Sequence, residues 1–465
     1  MAISYGKLGD YKKEFELLNK IYNESKDLFG ENHLDTLKAL ANLATSYYEL
    51  GDYKKSLTLH KTVYTEIKNK LGENHLDTLV ALQNLGNSYG IMGEYNKALE
   101  LSYEVYIKRK NKLGEKHPDT LMALANLASC YSSLGNWSKA LALENTVYNA
   151  RKESLGENHL DTLKALSNLA VTYGEVGDYN KALELENTVY NASKEILGEK
   201  HPDILSILYD LANFYSYLGN YYKVLELDKT SYSTRKEILG EKHPDTLRSL
   251  VNLAISYSDL GDYNKAFKLT NAVYNTLKET LGEKHPDTLS TLSSLAKCYS
   301  YLGDYNKALE KENTVYNTRK EILGEKHPDT LKSLANLANS YLHLEDYNKG
   351  LELQNTTYNA RKESLGEKHP NTLLALSNLL IAQIQQDETD NKSIKKHITA
   401  YFENINNLKT TAFSIKEVSS RRNFLTTFND VYKLLKSCIF ERNIKDLIDY
   451  LFINNEPPLS SRQVK

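Results

Sequence analysis

The stretch RKEILGEKHPDTLKSLANLA, residues 319–338, decides how this chain folds. Its histidine, His327, is one of nine in the same string, at His33, His75, His117, His159, His201, His243, His285, His327 and His369, every interval being 42 residues. No insertion or deletion breaks that register. A fixed period of this size means one supersecondary unit copied along the chain, each copy burying its apolar face on its neighbours. The length of 465 residues would otherwise suggest about three globular domains, and that expectation is set aside.

Within a unit, two helical faces are legible. Leu79, Leu82, Leu85, Gly86 and Tyr89 lie three or four apart, and after the Gly93-Glu94 turn so do Tyr95, Ala98, Leu99, Leu101, Val105 and Tyr106. Each unit is therefore a helix A, a tight turn, a longer helix B and a short link. Proline opens helix A at Pro118, Pro202, Pro244, Pro286, Pro328 and Pro370, where a missing N–H costs nothing. The Asp that follows suits the positive end of the helix dipole. Glycines such as Gly51 and Gly72 stop helices A and B. Small residues, among them Ala44, Ala128, Ala140 and Ala182, set close helix approach, and tyrosines fill the spaces between; tyrosine is abundant, at 35 residues.

This small–Tyr–Gly–Tyr–Ala spacing resembles the tetratricopeptide repeat, whose usual unit is about 34 residues. The longer unit, with the quoted stretch at Arg319–Ala338, looks like the repeats of kinesin light chain and similar proteins. The resemblance covers roughly residues 2–382. It implies an all-α, right-handed superhelical solenoid whose A helices line a concave groove that binds peptides. It does not imply the kinesin motor.

If the A helices line a groove, its contact line is a column of asparagines: Asn42, Asn84, Asn126, Asn168, Asn252, Asn336 and Asn378, with Asp210 and Ser294 as departures. The resemblance implies that such side chains bond the backbone of an extended peptide, and a carboxamide offers both donors and an acceptor. The alternative is that they bond the backbone of a neighbouring repeat. Around the column the residues vary. Val80, Ile91 and Met122 make the first part apolar, and Tyr209, Tyr217, Tyr301 and His343 make the later part aromatic. Lys38, Lys164, Arg248, Lys297 and Lys332 supply cations, opposed by Glu49, Glu175, Asp210 and Asp259. This mixture points to an amphipathic or mixed-charge peptide rather than a phosphate backbone.

Composition agrees. A net charge of −2 offers no concentrated basic surface for nucleic acid or an anionic membrane. No apolar run approaches the ~20 residues that span a bilayer, and residues 1–20 show no signal-peptide pattern. Cys130, Cys298 and Cys438 lie far apart with no CxxC pair, which fits free thiols in a reducing cytoplasm and gives no metal site. Cys130 and Cys298 share one place in helix A and read as buried small hydrophobes. The His-x-Asp pairs invite a metal or general-base reading. Helices packed about 10 Å apart would hold them too far from one another to share an ion, so they read as helix caps. Leu-Gly-Glu-Lys lacks the spacing of a phosphate loop. The runs Arg151-Lys152-Glu153 and Arg319-Lys320-Glu321 read as a solvated face with (i, i+4) pairs. No catalytic residue and no cofactor is indicated, so the chain reads as a binding protein, not an enzyme.

Both ends depart from the pattern. Ala2–Tyr5 matches the second half of a helix A, so Met1 falls in mid-helix, the expectation being a fragment or a missing upstream part. Towards the other end Glu345 replaces the turn glycine, Gly350 the small alanine and Asn371 the aspartate. The expected division is a solenoid over 1–382, a helical cap over 383–453 and a flexible tail over 454–465. Residues 419–435 are similar to the segment that joins repeats to CHAT protease domains, which would make the chain the sensor arm of a larger protein.

Overall fold

In a computed structural model the described residues are 2–367 and 369–385. Among them are nineteen helices and no strand. After α1 (Ala2–Lys7), which aligns in register with the second half of a helix A, the order is B, A, B, A through α19. The A helices are α3 (Leu34–Glu49), α5 (Leu76–Ile91), α7 (Pro118–Ser133), α9 (Leu160–Val176), α11 (Pro202–Tyr217), α13 (Pro244–Asp259), α15 (Pro286–Tyr301), α17 (Pro328–His343) and α19 (Pro370–Gln385). The B helices are α2 (Tyr11–Phe29), α4 (Tyr53–Leu71), α6 (Tyr95–Leu113), α8 (Trp137–Leu155), α10 (Tyr179–Leu197), α12 (Tyr221–Leu239), α14 (Tyr263–Thr280), α16 (Tyr305–Leu323) and α18 (Tyr347–Leu365). Consecutive helices pack side by side, so the chain is an all-α tetratricopeptide-type solenoid.

The caps explain why the elements begin where they do. Each repeat histidine precedes helix A in an extended conformation, and its Nδ1 accepts the backbone N–H two residues on, as from Asp119 to His117 at 3.1 Å and from Asp329 to His327 at 3.1 Å. The His-x-Asp pairs are helix caps, as the sequence suggests. Asp52, Asp178, Asp262 and their Asp or Asn counterparts cap the B helices through the N–H three residues on, Glu94 being the exception.

Inside each repeat the leucines of helix A meet the small residues and valine of helix B. Leu79, Leu82, Ala98 and Val105 are almost wholly buried, each large side chain contributing roughly 1.5–3 kcal/mol by leaving water. Ala44, Ala128, Ala140, Ala182 and Ala308 have no exposed surface, so the close approach expected of them is present. The departure at Gly350 is a compensation. A Cβ there would run into Leu342, which stands where most repeats carry Ser or Gly.

One expectation fails. The Arg-Lys-Glu runs are not a uniformly solvated face. Arg319 is buried, and its guanidinium donates to the carbonyl of Asp329 (3.3 Å) and the hydroxyls of Ser333 (2.8 Å) and Ser290 (3.0 Å). Arg151 reaches the carbonyl of Asp161 in the same way at 2.9 Å. A planar fork with five donors can reach a first-turn carbonyl and two hydroxyls of the flanking A helices at once, which a lysine cannot. Lys152 and Lys320 pair five residues on with Glu157 and Glu325, while Glu153 and Glu321 pair back to Lys116 and Lys284 of the preceding repeat. Of the thiols, Cys298 is buried, but Cys130, facing Ser102 at 3.4 Å, is only half-buried.

The solenoid closes on itself. The imidazole Nε2 of His285 donates to the carbonyl of Glu49 at 3.0 Å, that of His327 to Ile91 at 2.9 Å, and that of His369 to Ser133 at 3.1 Å. Each bond spans 236 residues, so the start of one helix A sits on the end of the helix A six repeats earlier. Pro244, Pro286, Pro328 and Pro370 lie against Gly9, Gly51, Gly93 and Gly135 in the same order, and α16 touches α4. At Gly51 the fit admits nothing larger: φ is 81°, and a Cβ would collide with the ring of Pro286. Two turns of the coil thus meet along a four-rung seam.

The expected cap over 383–453, apart from the end of α19, and the tail over 454–465 lie outside the described residues.

Candidate functional site

The inner face of the coil is made by the A helices. α9 touches both α7 and α11 directly, whereas no two successive B helices make comparable contact. Helices on the inside of a curve must converge, so the exposed side of the A helices is the concave one.

That side presents residues 38, 42, 45 and 49 of the first full repeat and their counterparts every 42 residues. At its start, a cavity of about 410 Å³ is lined by Asn42, Thr45 and Glu49 of α3 and by Tyr11, Glu14 and Leu18 of α2. Burial and the neighbouring Glu14, Asp287 and Asp245 raise the Glu49 carboxyl, against a lowering pull from Arg248 across the seam. Further along, Ser294 stands in the asparagine column. Its short side chain leaves a recess on either side, of about 170 Å³ towards Ile255, Lys297 and Tyr301 and about 230 Å³ towards Arg248, Val251 and Ser290.

The asparagines are not equivalent. Asn42 and Asn168 are exposed, while Asn84, Asn126, Asn252 and Asn336 are partly buried. Asn336 donates to Ser293 Oγ of the previous repeat at 3.1 Å. Asp210, the acidic departure, is raised to about 6 by burial.

Side chains around the column divide as well. Lys164 is exposed, and Arg248 is held by Asp245 at 3.2 Å. Tyr209 stands open. Tyr217 and Tyr301 do not project freely: their rings stack on Tyr179 and Tyr263 of the preceding repeat, at 4.5 Å and 4.9 Å between centroids, each leaving one face to solvent. Val80, Met122, Val171, Ile255 and Leu374 are exposed apolar side chains on this same set of helices.

Sequence reasoning missed the seam and a column of buried polar groups on helix B. That column runs His60, Ser102, Glu144, Glu186, Asp228, Thr270, Glu312 and Gln354, and every member is buried. Burial raises the carboxyls of Glu144 and Glu312 to about 7 and that of Glu186 to about 8. The seam had a signal. All four repeats that use it carry proline after the histidine, whereas Leu34, Leu76 and Leu160 hold that place in three of the five that do not.

Among the described residues no three His, Cys, Asp or Glu side chains are placed to hold a metal, and no helix is long and apolar enough to cross a membrane.

Among solved structures, nearly identical TPR-like repeats of a Podosopora anserina protein assigned as a kinesin light chain are 27% identical, over 44% of this chain and 97% of that one, with a TM-score of 0.39. BtubC (BKLC) from P. vanneervenii is 19% identical over 50% of this chain and 92% of its own, TM-score 0.39. A Rap protein complexed with competence and sporulation factor is 12% identical over 77% and 99%, TM-score 0.49. No curated protein matches. The similarity of 419–435 to the segment before CHAT domains finds no support in these comparisons. The tetratricopeptide repeat family model matches residues 1–65, 47–106, 77–153, 145–195, 203–279, 253–321 and 329–391, and the chain belongs to that family.

Proposed function

We propose that the chain is a protein-interaction scaffold that holds an extended peptide or partner segment on the concave face of its A helices. The observation that carries this reading is the exposed apolar set on that face. Val80, Met122, Tyr209, Ile255 and Leu374 stand open to water beside exposed polar positions such as Asn168 and Lys164. Exposed apolar side chains that recur along one face in repeat after repeat support its use as a binding surface. The reading assigns no catalytic group, since the recurrent His-x-Asp pairs are engaged as helix caps. The free thiols of Cys130 and Cys298 support a place in the cytoplasm.

The test is photo-crosslinking. A photoreactive residue in place of Met122 or Ile255 captures the partner, and one in place of Tyr222 or Tyr103 on the B helices does not. Changing Asn126, Asn168 and Asn252 together to Ala weakens capture without lowering the melting temperature by more than a few degrees. Equal capture from the B-helix positions overturns the reading.

A further inference from the structure

The repeat histidines fall into two environments although their sequence context is nearly the same. His33, His117, His159 and His201 have side chains 43%, 40%, 46% and 38% exposed, and each caps its own helix without bonding to another turn of the coil. The His243 side chain is 6% exposed, and His285, His327 and His369 are buried likewise. At the last three, both ring nitrogens are committed. Nδ1 accepts a backbone N–H from Asp287, Asp329 or Asn371, and Nε2 bonds a carbonyl oxygen one turn of the coil away. An acceptor at Nδ1 and a donor at Nε2 define one neutral tautomer. A second proton has to go on Nδ1, where it faces the N–H that Nδ1 now accepts. The cap and the seam bond share one ring, so the ring cannot turn to save one without losing the other.

We propose that the seam is a proton-controlled clasp: with neutral His285, His327 and His369 it holds the two turns of the coil together, and on acidification it parts, turning a closed coil into an open spiral and exposing the concave face from the side.

At His327 and His369 the surroundings favour the neutral ring in the closed state. Burial lowers His327, with Arg319 and Lys54 adding repulsion against the opposing pull of Asp329 and the Ile91 carbonyl. Burial lowers His369, and Arg361 adds to it. At His285 the bond to the Glu49 carbonyl crosses the seam, and the charged and titratable groups beside it are Asp287 on its own helix and Glu49 across the seam, with Tyr48, Tyr53 and Arg248 next to those two. A group whose proton affinity is lowered in the closed state takes up a proton more readily when open, so falling pH drives opening. The rungs act together because they lie in one line on a single stiff solenoid.

The test is small-angle scattering of the full chain at about pH 7.5 and about pH 5, with circular dichroism alongside. The wild type is expected to gain radius and maximum dimension at the lower pH with its helicity retained. Two triple variants separate the roles of the ring nitrogens. Asparagine is a good helix cap but cannot reach across the seam; the variant with His285→Asn, His327→Asn and His369→Asn is therefore expanded at both pH values while remaining helical. Glutamine places a non-titrating N–H near the position of Nε2, so the variant with Gln at the same three positions loses the pH dependence. The first-turn control, His75→Asn, His117→Asn and His159→Asn, behaves as wild type. Equal dimensions for wild type at both pH values, a compact Asn variant, or expansion that tracks loss of helicity would each overturn the proposal.

Discussion

Glu186 lies 28 residues before Phe214, the spacing at which several of its counterparts find a polar partner. His60 bonds Ser88 at 2.8 Å, Ser102 meets Cys130 at 3.4 Å, and Asp228 accepts from Ser256. Phe214 offers no such group. Glu186 instead accepts from Ser167 at 3.0 Å, and its second oxygen is buried without a partner. A carboxylate in that position is costly, so burial, with Asp210 nearby, raises its proton affinity to about 8.

The sign of the pH dependence follows. A carboxyl raised on folding is protonated in the native state, so the stability present below the unfolded value of about 4.5 is lost as pH rises through about 8. Glu186→Gln supplies the neutral group permanently. It is expected to be near wild type in stability at about pH 5 and more stable on the order of a few kcal/mol at about pH 8.5. Urea unfolding of the two proteins at both pH values measures the difference, and equal stabilities at the higher pH would show that Glu186 is ionised at no cost.

Phe214 also makes a demand on Gly174 of the preceding helix A. A Cβ on Gly174 would lie 2.6 Å from the ring. Alanine is the better helix former by about 1 kcal/mol, but the ring cannot withdraw from its buried place. Gly174→Ala is therefore expected to destabilise by about 1–3 kcal/mol. With Phe214→Ser beside it, the same change becomes neutral or stabilising, and a double-mutant cycle by thermal unfolding reads the coupling.

Arg319 and Lys320 are neighbours with opposite roles. Arg319 is buried across three acceptors, while Lys320 pairs with Glu325 in solvent. Arg319→Ala removes three charge-assisted hydrogen bonds and the buried stem that carries them, and is expected to cost about 2–4 kcal/mol. Lys320→Ala stays within about 0.5 kcal/mol. Similar melting temperatures for the two variants would mean that the clamp adds nothing.

The helices, their caps and the pairing of A with B were legible because they depend on residues within one repeat. His327 and Asp329 are two apart, and Leu79 and Leu82 three, so local spacing specifies them. The seam was not legible in that way. His327 and Ile91 are brought together by curvature summed over six repeats, and no local pattern encodes that sum. Arg319 was misread for a related reason: its neighbours in sequence are solvated, but its side chain leaves helix B for the next helix A. The concave face was half legible, since its positions follow from the period, whereas the stacking of Tyr217 on Tyr179 depends on how neighbouring repeats meet.

The asparagine column itself yields a division that binding and stability can separate. Asn336 donates to Ser293 Oγ, which in turn donates to Glu312 at 2.8 Å, so this amide belongs to a buried network of the fold. Asn168 is exposed on the concave face. Asn336→Ala is expected to lower stability by about 1 kcal/mol, the worth of one such bond, and to raise the strain on an already protonation-prone Glu312. Asn168→Ala is expected to leave unfolding within about 0.5 kcal/mol of wild type and to reduce partner capture at a crosslinker placed at Met122. If Asn168→Ala unfolds the chain more readily and captures as well as wild type, the column is a structural ladder between repeats, and the contact line must be sought in the variable positions beside it.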